Sequence, residues 1–239
     1  MNTLKKGVRS LGIHLTADQI ENFRIYWDEL VTWNRRINLT SITGYEDVQS
    51  RHFLDSLTIF LAWPEGKPSG TPGVIDIGTG CGVPGIPLKI VRPDIRLALL
   101  EATRKKVDFL EHIIGRLKLD DVEVIHNRAE DAARESCYRE KFDIAVSRAV
   151  APLVTLSELA LPFCRVGGRF IALKRGDLTE ELTRAKRALK LSGGILSEVK
   201  PVKIDVLPDG RKLVIIDKGS PTPGNYPRRA GMAKKRPLE

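Results

Sequence analysis

Cysteine and histidine are scarce in this chain. Three cysteines (Cys81, Cys137, Cys164) and four histidines (His14, His52, His112, His126) lie far apart in 239 residues. No Cys-x-x-Cys occurs and neither set has zinc-ligand spacing, so a disulfide framework and a metal site are both unexpected. The cysteines read as interior thiols of a protein kept reduced. Long apolar runs are missing as well: none approaches the roughly 20 residues that cross a bilayer. The opening residues, Met1 to Arg9, lack the apolar stretch of a secretory signal. No repeat recurs at solenoid periods, and no stretch is polar enough to leave the body unfolded. The expectation is a globular, cytoplasmic chain without membrane attachment, acting as a monomer.

Charge is present in excess of one sign. The chain carries a formal net charge of +9, an unusual balance for an enzyme of small neutral molecules and a sign of an anionic partner such as nucleic acid. Its distribution is uneven. The first sixty residues hold seven cations and seven acids, whereas the stretch from Lys218 onward holds six cations (Lys218, Arg228, Arg229, Lys234, Lys235, Arg236) and one acid, Glu239. More than half of the excess therefore sits in a C-terminal tail.

Three regions follow from the pattern of apolar residues. Residues 1–66 read as a helical extension. Thr16-Ala-Asp-Gln19 has capping-box form, and Ile20, Phe23, Trp27, Leu30 and Val31 recur at helical spacing behind it. A second helix is expected from about Tyr45 to Leu61, then a Pro- and Gly-dense linker from Trp63 to Gly73. Residues 67–219 read as an α/β core. Short apolar runs at Val74–Ile77, Ile95–Leu100, Val122–Ile125, Phe142–Val146 and Arg169–Leu173 alternate with helical segments, as in βαβ units of a parallel sheet. Leu196–Val206, the tight turn Pro208-Asp-Gly210 and Lys212–Ile216 read as a closing antiparallel hairpin. Residues 220–239 form the basic tail. A doubly wound sheet finished by such a hairpin is the class I, Rossmann-like methyltransferase variation, here a mostly parallel sheet of seven strands.

The first strand runs into Asp76-Ile-Gly78-Thr-Gly80-Cys-Gly82-Val-Pro-Gly85. Closely spaced glycines let the backbone turn tightly and approach a ligand, and the following helix offers free amides. The loop by itself serves NAD as readily as S-adenosylmethionine. Asp76 inside the strand, where dinucleotide folds carry an apolar residue, favours S-adenosylmethionine: its carboxylate can hold the loop or the methionine ammonium. Glu101 ends the second strand, placed for the ribose hydroxyls. After the third strand comes Asn127-Arg-Ala-Glu130, with Glu130 set to accept from the adenine amine and Ala129 and Val83 as apolar walls. Taken alone, Glu130 has a second reading, a solvated helix cap.

On the substrate side, the fourth strand ends Ser147-Arg148-Ala149-Val-Ala-Pro152. The Asx/Ser-Pro-Pro-aromatic run of enzymes that methylate exocyclic amines is missing, and no cysteine is placed for a covalent adduct with a base. The remaining acceptors are a hydroxyl or a ring nitrogen such as guanine N7, whose free lone pair needs orientation more than a base. Arg148 can grip a carboxylate or phosphate with its planar fork. Lys174 and Arg175 end the fifth strand on the same rim and, with Arg228, Arg229, Lys234 and Lys235, are candidate phosphate contacts.

Trp33-Asn-Arg-Arg-Ile-Asn-Leu-Thr40, Arg51-His-Phe-Leu-Asp-Ser56, Asp76 to Leu88, Ser147-Arg-Ala149, Ala172-Leu-Lys174 and Tyr226-Pro-Arg-Arg229, in this order, resemble the RsmG (GidB) family of bacterial small-subunit ribosomal RNA guanine-N7 methyltransferases. The resemblance runs from about residue 20 to the C-terminus. It implies methylation of one guanine in 16S ribosomal RNA, S-adenosyl-L-methionine as cofactor, and ribosomal RNA or a ribosomal particle as partner. Carried over by position, the cofactor contacts would be Gly78, Val83, Glu101, Ala102, Thr103, Ala129, Glu130 and Arg148, with Gly80 in the same loop. No catalytic general base is implied. Beyond the family's contacts, Asn38, His52 and Asp55 are expected to form a hydrogen-bonded brace that packs the extension over the cofactor mouth; a His52 buried for purely structural reasons is the other reading. Two other readings stay open: a methyltransferase of a different substrate, and a non-catalytic RNA-binding module on the same fold.

Overall fold

The computed structural model describes residues 1–64 and 70–239. Residues 65–69, the centre of the expected linker and the place of the first domain boundary, lie outside the described residues.

Seven strands form one sheet in the order β3-β2-β1-β4-β5-β7-β6. They are β1 (Gly73–Ile77), β2 (Arg96–Glu101), β3 (Val122–His126), β4 (Phe142–Arg148), β5 (Cys164–Arg175), β6 (Gly194–Pro201) and β7 (Arg211–Lys218). β1 to β5 pair in parallel, and β7 runs antiparallel to both β5 and β6. The class I arrangement expected from the apolar pattern is the one observed.

Every residue of β1 is buried, as a central strand covered on both faces requires. Alternation then divides the core. Val74, Leu97, Leu99, Ile144 and Val146 face one apolar cluster, while Ile75, Ile77, Ala98, Leu100 and Ala145 face the other. The helices α5 (Gly85–Val91) and α6 (Arg104–Leu117) cover the first face. The second is covered by α8 (Leu153–Ala160) and α9 (Thr179–Leu191), with the short α7 (Ala129–Ala132) at its edge.

The N-terminal helices belong to the first cluster and share its core. The helix α1 (Asn2–Arg9), which the sequence pattern does not signal, buries Leu4 and Val8. The capping box at Thr16 and Gln19 forms with both bonds in place and starts α2 (Ala17–Ile37). Phe23, Tyr26 and Leu30 are its buried stripe, and Asn38 ends it in the left-handed conformation. The expected second helix is present but not uniform. After α3 (Tyr45–Val48), a widened π segment (Gln49–Leu54) leads into α4 (Asp55–Leu57) and a 3-10 turn (Thr58–Ala62). Such wide turns recur where a helix presents groups to a functional site.

One expectation is corrected by packing. The closing hairpin is joined by more than a tight turn: β6 stops at Pro201 and a loop of residues 202–210 precedes β7. Val202, Ile204 and Leu207 in that loop are buried in the first cluster, so apolar burial takes the residues that alternation assigned to the strand. The basic tail is bonded to the core. Arg139 donates to the carbonyls of Thr222 (2.7 Å) and Tyr226 (3.0 Å), and Arg134 to that of Pro227 (2.5 Å). A short helix α10 (Met232–Lys235) follows.

Candidate active site

Alternation along β1 aims Asp76 toward the cluster under α5, where it is fully buried. One carboxylate oxygen, Oδ2, accepts from the Thr79 hydroxyl (2.6 Å) and from the Gly85 amide (2.8 Å). Asp76 thus closes the glycine loop on itself by bonding its middle and the first residue of α5. Of the two roles open to it, holding the loop is the one the geometry shows. Burial pushes its carboxyl up to about 7. A Cβ on Gly85 would stand 2.6 Å from Leu99 Cδ2 and 3.0 Å from Asp76 Oδ2, so the spacing favours glycine. Gly82, at φ 93°, is a second such position: a Cβ there would meet the Tyr26 hydroxyl at 2.8 Å, and that hydroxyl donates to the Cys81 carbonyl. Tyr26 comes from α2, so the extension itself fixes the loop.

Glu101 ends β2 between two cavities. Its oxygens accept from the amides of Gly80 (3.1 Å) and Thr103 (2.8 Å), which set the carboxylate while leaving lone pairs toward the cleft. One cavity, about 250 Å³, is lined by Gly78, Glu101, Ala102, Ala129 and Glu130. The other, about 370 Å³, is lined by Gly78, Gly80, Val83, Glu101 and Arg148, together with Thr40, His52 and Lys106. Both open at the carboxyl rim of the parallel strands, where ligands bind in sheets of this kind. A larger cavity of about 580 Å³ lies between Arg96, Asp121 and Tyr138, and neither the glycine loop nor Glu101 lines it.

Eight of the nine candidate cofactor residues line this cleft, and two of the nine change role. Val83 stands in the larger lobe and not beside Ala129; the apolar walls near Ala129 are Ile77, Leu100 and Val150. Thr103 lines neither lobe and acts through its amide on Glu101. Glu130 is buried, and its Oε1 accepts from the Gly231 amide (2.7 Å) of the C-terminal segment. With Gly231 and Lys234 in the lining, the tail becomes one wall of the smaller lobe. Sequence reading missed this because a basic stretch carries no sign of where it docks.

The set of acceptors and apolar walls suits S-adenosylmethionine. A carboxylate between the lobes matches a ribose diol, apolar walls match a flat purine, and Glu130 offers its second oxygen to an amine.

At the opposite wall, the guanidinium of Arg148 at the end of β4 meets the π segment. It donates to the Arg51 carbonyl (2.6 Å), Asp55 Oδ2 (3.3 Å) and His52 Nδ1 (3.0 Å). Arg211 reaches the same Asp55 oxygen at 3.3 Å. Burial raises the Asp55 carboxyl against the pull of both arginines. Burial and Arg148 push His52 down to about 3, so its ring is neutral. The expected brace is therefore corrected in one member. Asn38 is the exposed cap of α2, and Thr40 takes its place, 2.9 Å from His52 Nε2.

The candidate phosphate contacts separate into two kinds. Lys174 is tied inward to Glu181 (2.6 Å) and the Ala151 carbonyl, which shapes the loop after β4. Arg228 forms a two-pronged pair with the buried Glu158, at 2.9 and 2.7 Å. Lys218 is buried against the carbonyls of Leu161 and Ser192, so it adds nothing to the surface charge. Arg175, Arg229, Lys234 and Lys235 are exposed.

Comparison with known proteins gives the chain its family. Residues 19–211 match the family model GidB, rRNA small subunit methyltransferase G. The ribosomal RNA small subunit methyltransferase G of Dehalococcoides mccartyi (strain CBDB1) is 51% identical over all of both chains, and that of Roseiflexus sp. (strain RS-1) 45% over all of both. Among solved structures, a SAM-dependent methyltransferase from Aquifex aeolicus superposes with TM-score 0.52 at 16% identity, over 75% of this chain and 96% of its own. A mutant of MtNAS in complex with S-adenosylmethionine gives 0.52 at 18%, over 85% and 72%. The two solved structures match in fold, whereas the family match and the full-length relatives fix descent: the chain belongs to the rRNA small subunit methyltransferase G family.

Proposed function

We propose that this protein transfers the methyl group of S-adenosyl-L-methionine to N7 of one guanine in small-subunit ribosomal RNA. The observation that carries the reading is the pair of lobes meeting at Glu101, walled on one side by the extension and on the other by the basic C-terminal segment. When bound, the cofactor supplies an electrophilic methyl on a sulfonium. Glu101 would hold its ribose hydroxyls and Glu130 its adenine amine, while Gly78 and Gly80 pass close to its chain.

Guanine N7 has a lone pair and no proton, so its attack on the methyl carbon breaks the carbon–sulfur bond without a base. The positive charge moves from sulfur to the purine ring. The acids near the cleft fit that economy. Asp76 and Asp55 are buried and bonded, and Glu101 and Glu130 each accept backbone amides. What the residues contribute is orientation and the exclusion of water.

The same reading places the protein with ribosomal RNA or a ribosomal particle in the cytoplasm, acting as a monomer. Among the described residues, no helix is long and apolar enough to cross a membrane. The test uses labelled S-adenosylmethionine with undermethylated small subunits and with naked RNA, followed by mapping of 7-methylguanine. Label at one guanine supports the reading; no transfer to either substrate overturns it.

A further inference from the structure

The Arg148–His52 contact has a directional result. A guanidinium only donates, so His52 Nδ1, 3.0 Å from Arg148 Nη2, must accept. The proton of the neutral ring then sits on Nε2, and the 2.9 Å contact runs from Nε2–H to Thr40 Oγ1. The opposite tautomer would point Nδ1–H at the Arg51 carbonyl, 3.2 Å away, but would also set two donors against each other at Arg148. Thr40 Oγ1 accepts a second bond from the Ile42 amide at 3.0 Å. Both of its lone pairs are therefore occupied. Its hydroxyl keeps one capacity, to donate, and among the described residues that proton has no acceptor. Thr40 lines the lobe that also holds Gly80 and Arg148.

We propose that Thr40 selects guanine by donating its hydroxyl proton to O6 of the base whose N7 takes the methyl group. The idea rests on the guanine-N7 reading and deepens it. Beside N7, guanine carries the O6 acceptor and adenine the N6 amine, a donor. A hydroxyl with both lone pairs filled can meet the first and not the second. His52 and Arg148 are positioning residues here: Arg148 sets the tautomer of His52, and His52 fills the lone pair that would otherwise accept from an amine.

The test is a cycle of two changes, one in the protein and one in the RNA. The rate kcat/KM is measured for wild type, Thr40→Ser and Thr40→Val on RNA carrying guanine or 2-aminopurine, which lacks O6, at the target. Wild type should lose roughly 5- to 150-fold on 2-aminopurine, the range of one good base-edge interaction. Thr40→Ser, which keeps the hydroxyl, should behave as wild type. Thr40→Val should lose a similar factor on guanine and little more on 2-aminopurine, so the two effects do not multiply. Effects that multiply, a serine variant as poor as valine, or wild type indifferent to O6 would each overturn the proposal. The wild-type comparison stands even where the valine variant folds poorly. A wild type that forms no 7-methylguanine at all overturns the parent reading, a result distinct from the others.

Discussion

Arg228 and Glu158, seventy residues apart in sequence, form a two-pronged ion pair in which Glu158 is buried and also accepts the Arg228 amide at 2.7 Å. The pair anchors the C-terminal segment against α8, just before Gly231 bonds Glu130.

Removing one partner leaves a buried charge uncompensated. Arg228→Ala should destabilise the protein by about 3–5 kcal/mol, read as a lower urea midpoint. Arg228→Lys keeps the charge but loses the fork, and should fall between the two. An alanine variant as stable as wild type would show that the segment does not depend on this anchor.

The contributions of the C-terminal segment and of the smaller lobe can be separated. Glu130→Gln keeps a carbonyl oxygen for the Gly231 amide but replaces the acceptor that faces the lobe with a donor. Calorimetry should show S-adenosylmethionine binding weakened about tenfold, near 1.4 kcal/mol, with thermal stability little changed. Deleting residues 231–239 should weaken binding as well. Unaltered affinity in both variants would remove the segment from the cofactor site.

RNA binding should depend on only some of the tail cations. Neutralising Arg229, Lys234 and Lys235 should reduce the slope of log affinity against log salt by roughly 0.7 for each phosphate left without its cation. Lys174→Gln should leave the slope unchanged, since that ammonium is held by Glu181. A slope equal to wild type in the triple variant would make the tail purely structural.

Two buried groups give stability opposite dependences on pH. His52 is lowered from 6.5 to about 3, so the fold holds it neutral. Its contribution is complete above pH 6.5 and is lost as pH falls from there toward 3, where only the unfolded chain gains the proton. Asp76 is raised from 3.8 to about 7, so the fold holds its proton. That contribution is complete below pH 3.8 and is lost as pH rises through 7. Denaturant midpoints from pH 4.5 to 8 should show His52→Asn flattening the acid limb and Asp76→Asn flattening the limb near neutrality. The asparagine oxygen can still accept from Thr79 and Gly85. Unchanged profiles would contradict these assignments.

What could be read from residues alone follows the range of the interactions. The strands, the capping box and the glycine loop depend on neighbours within a few positions, and alternation in Val74 to Ile77 already divides the two faces. The tail does not work that way. Nothing near Arg228 or Lys218 signals that one meets a glutamate on α8 and the other is buried among carbonyls, so the first reads as a phosphate contact and the second as tail charge. The brace is legible in His52 and Asp55 and misses its third member. Asn38 and Thr40 lie two positions apart, and only the left-handed end of α2 decides which of them turns toward His52.

The reversed direction of β7 has a consequence at the cleft. Arg211 is its first residue, paired in register with Arg175, the last of β5. Eight residues of strand span roughly 23 Å. Had β7 run parallel, Arg211 would lie at the far edge of the sheet, and Asp55 would answer to Arg148 alone. The antiparallel strand that closes the sheet thus delivers a second cation to the rim, making the sheet's topology a condition of how the extension is electrically latched to the core.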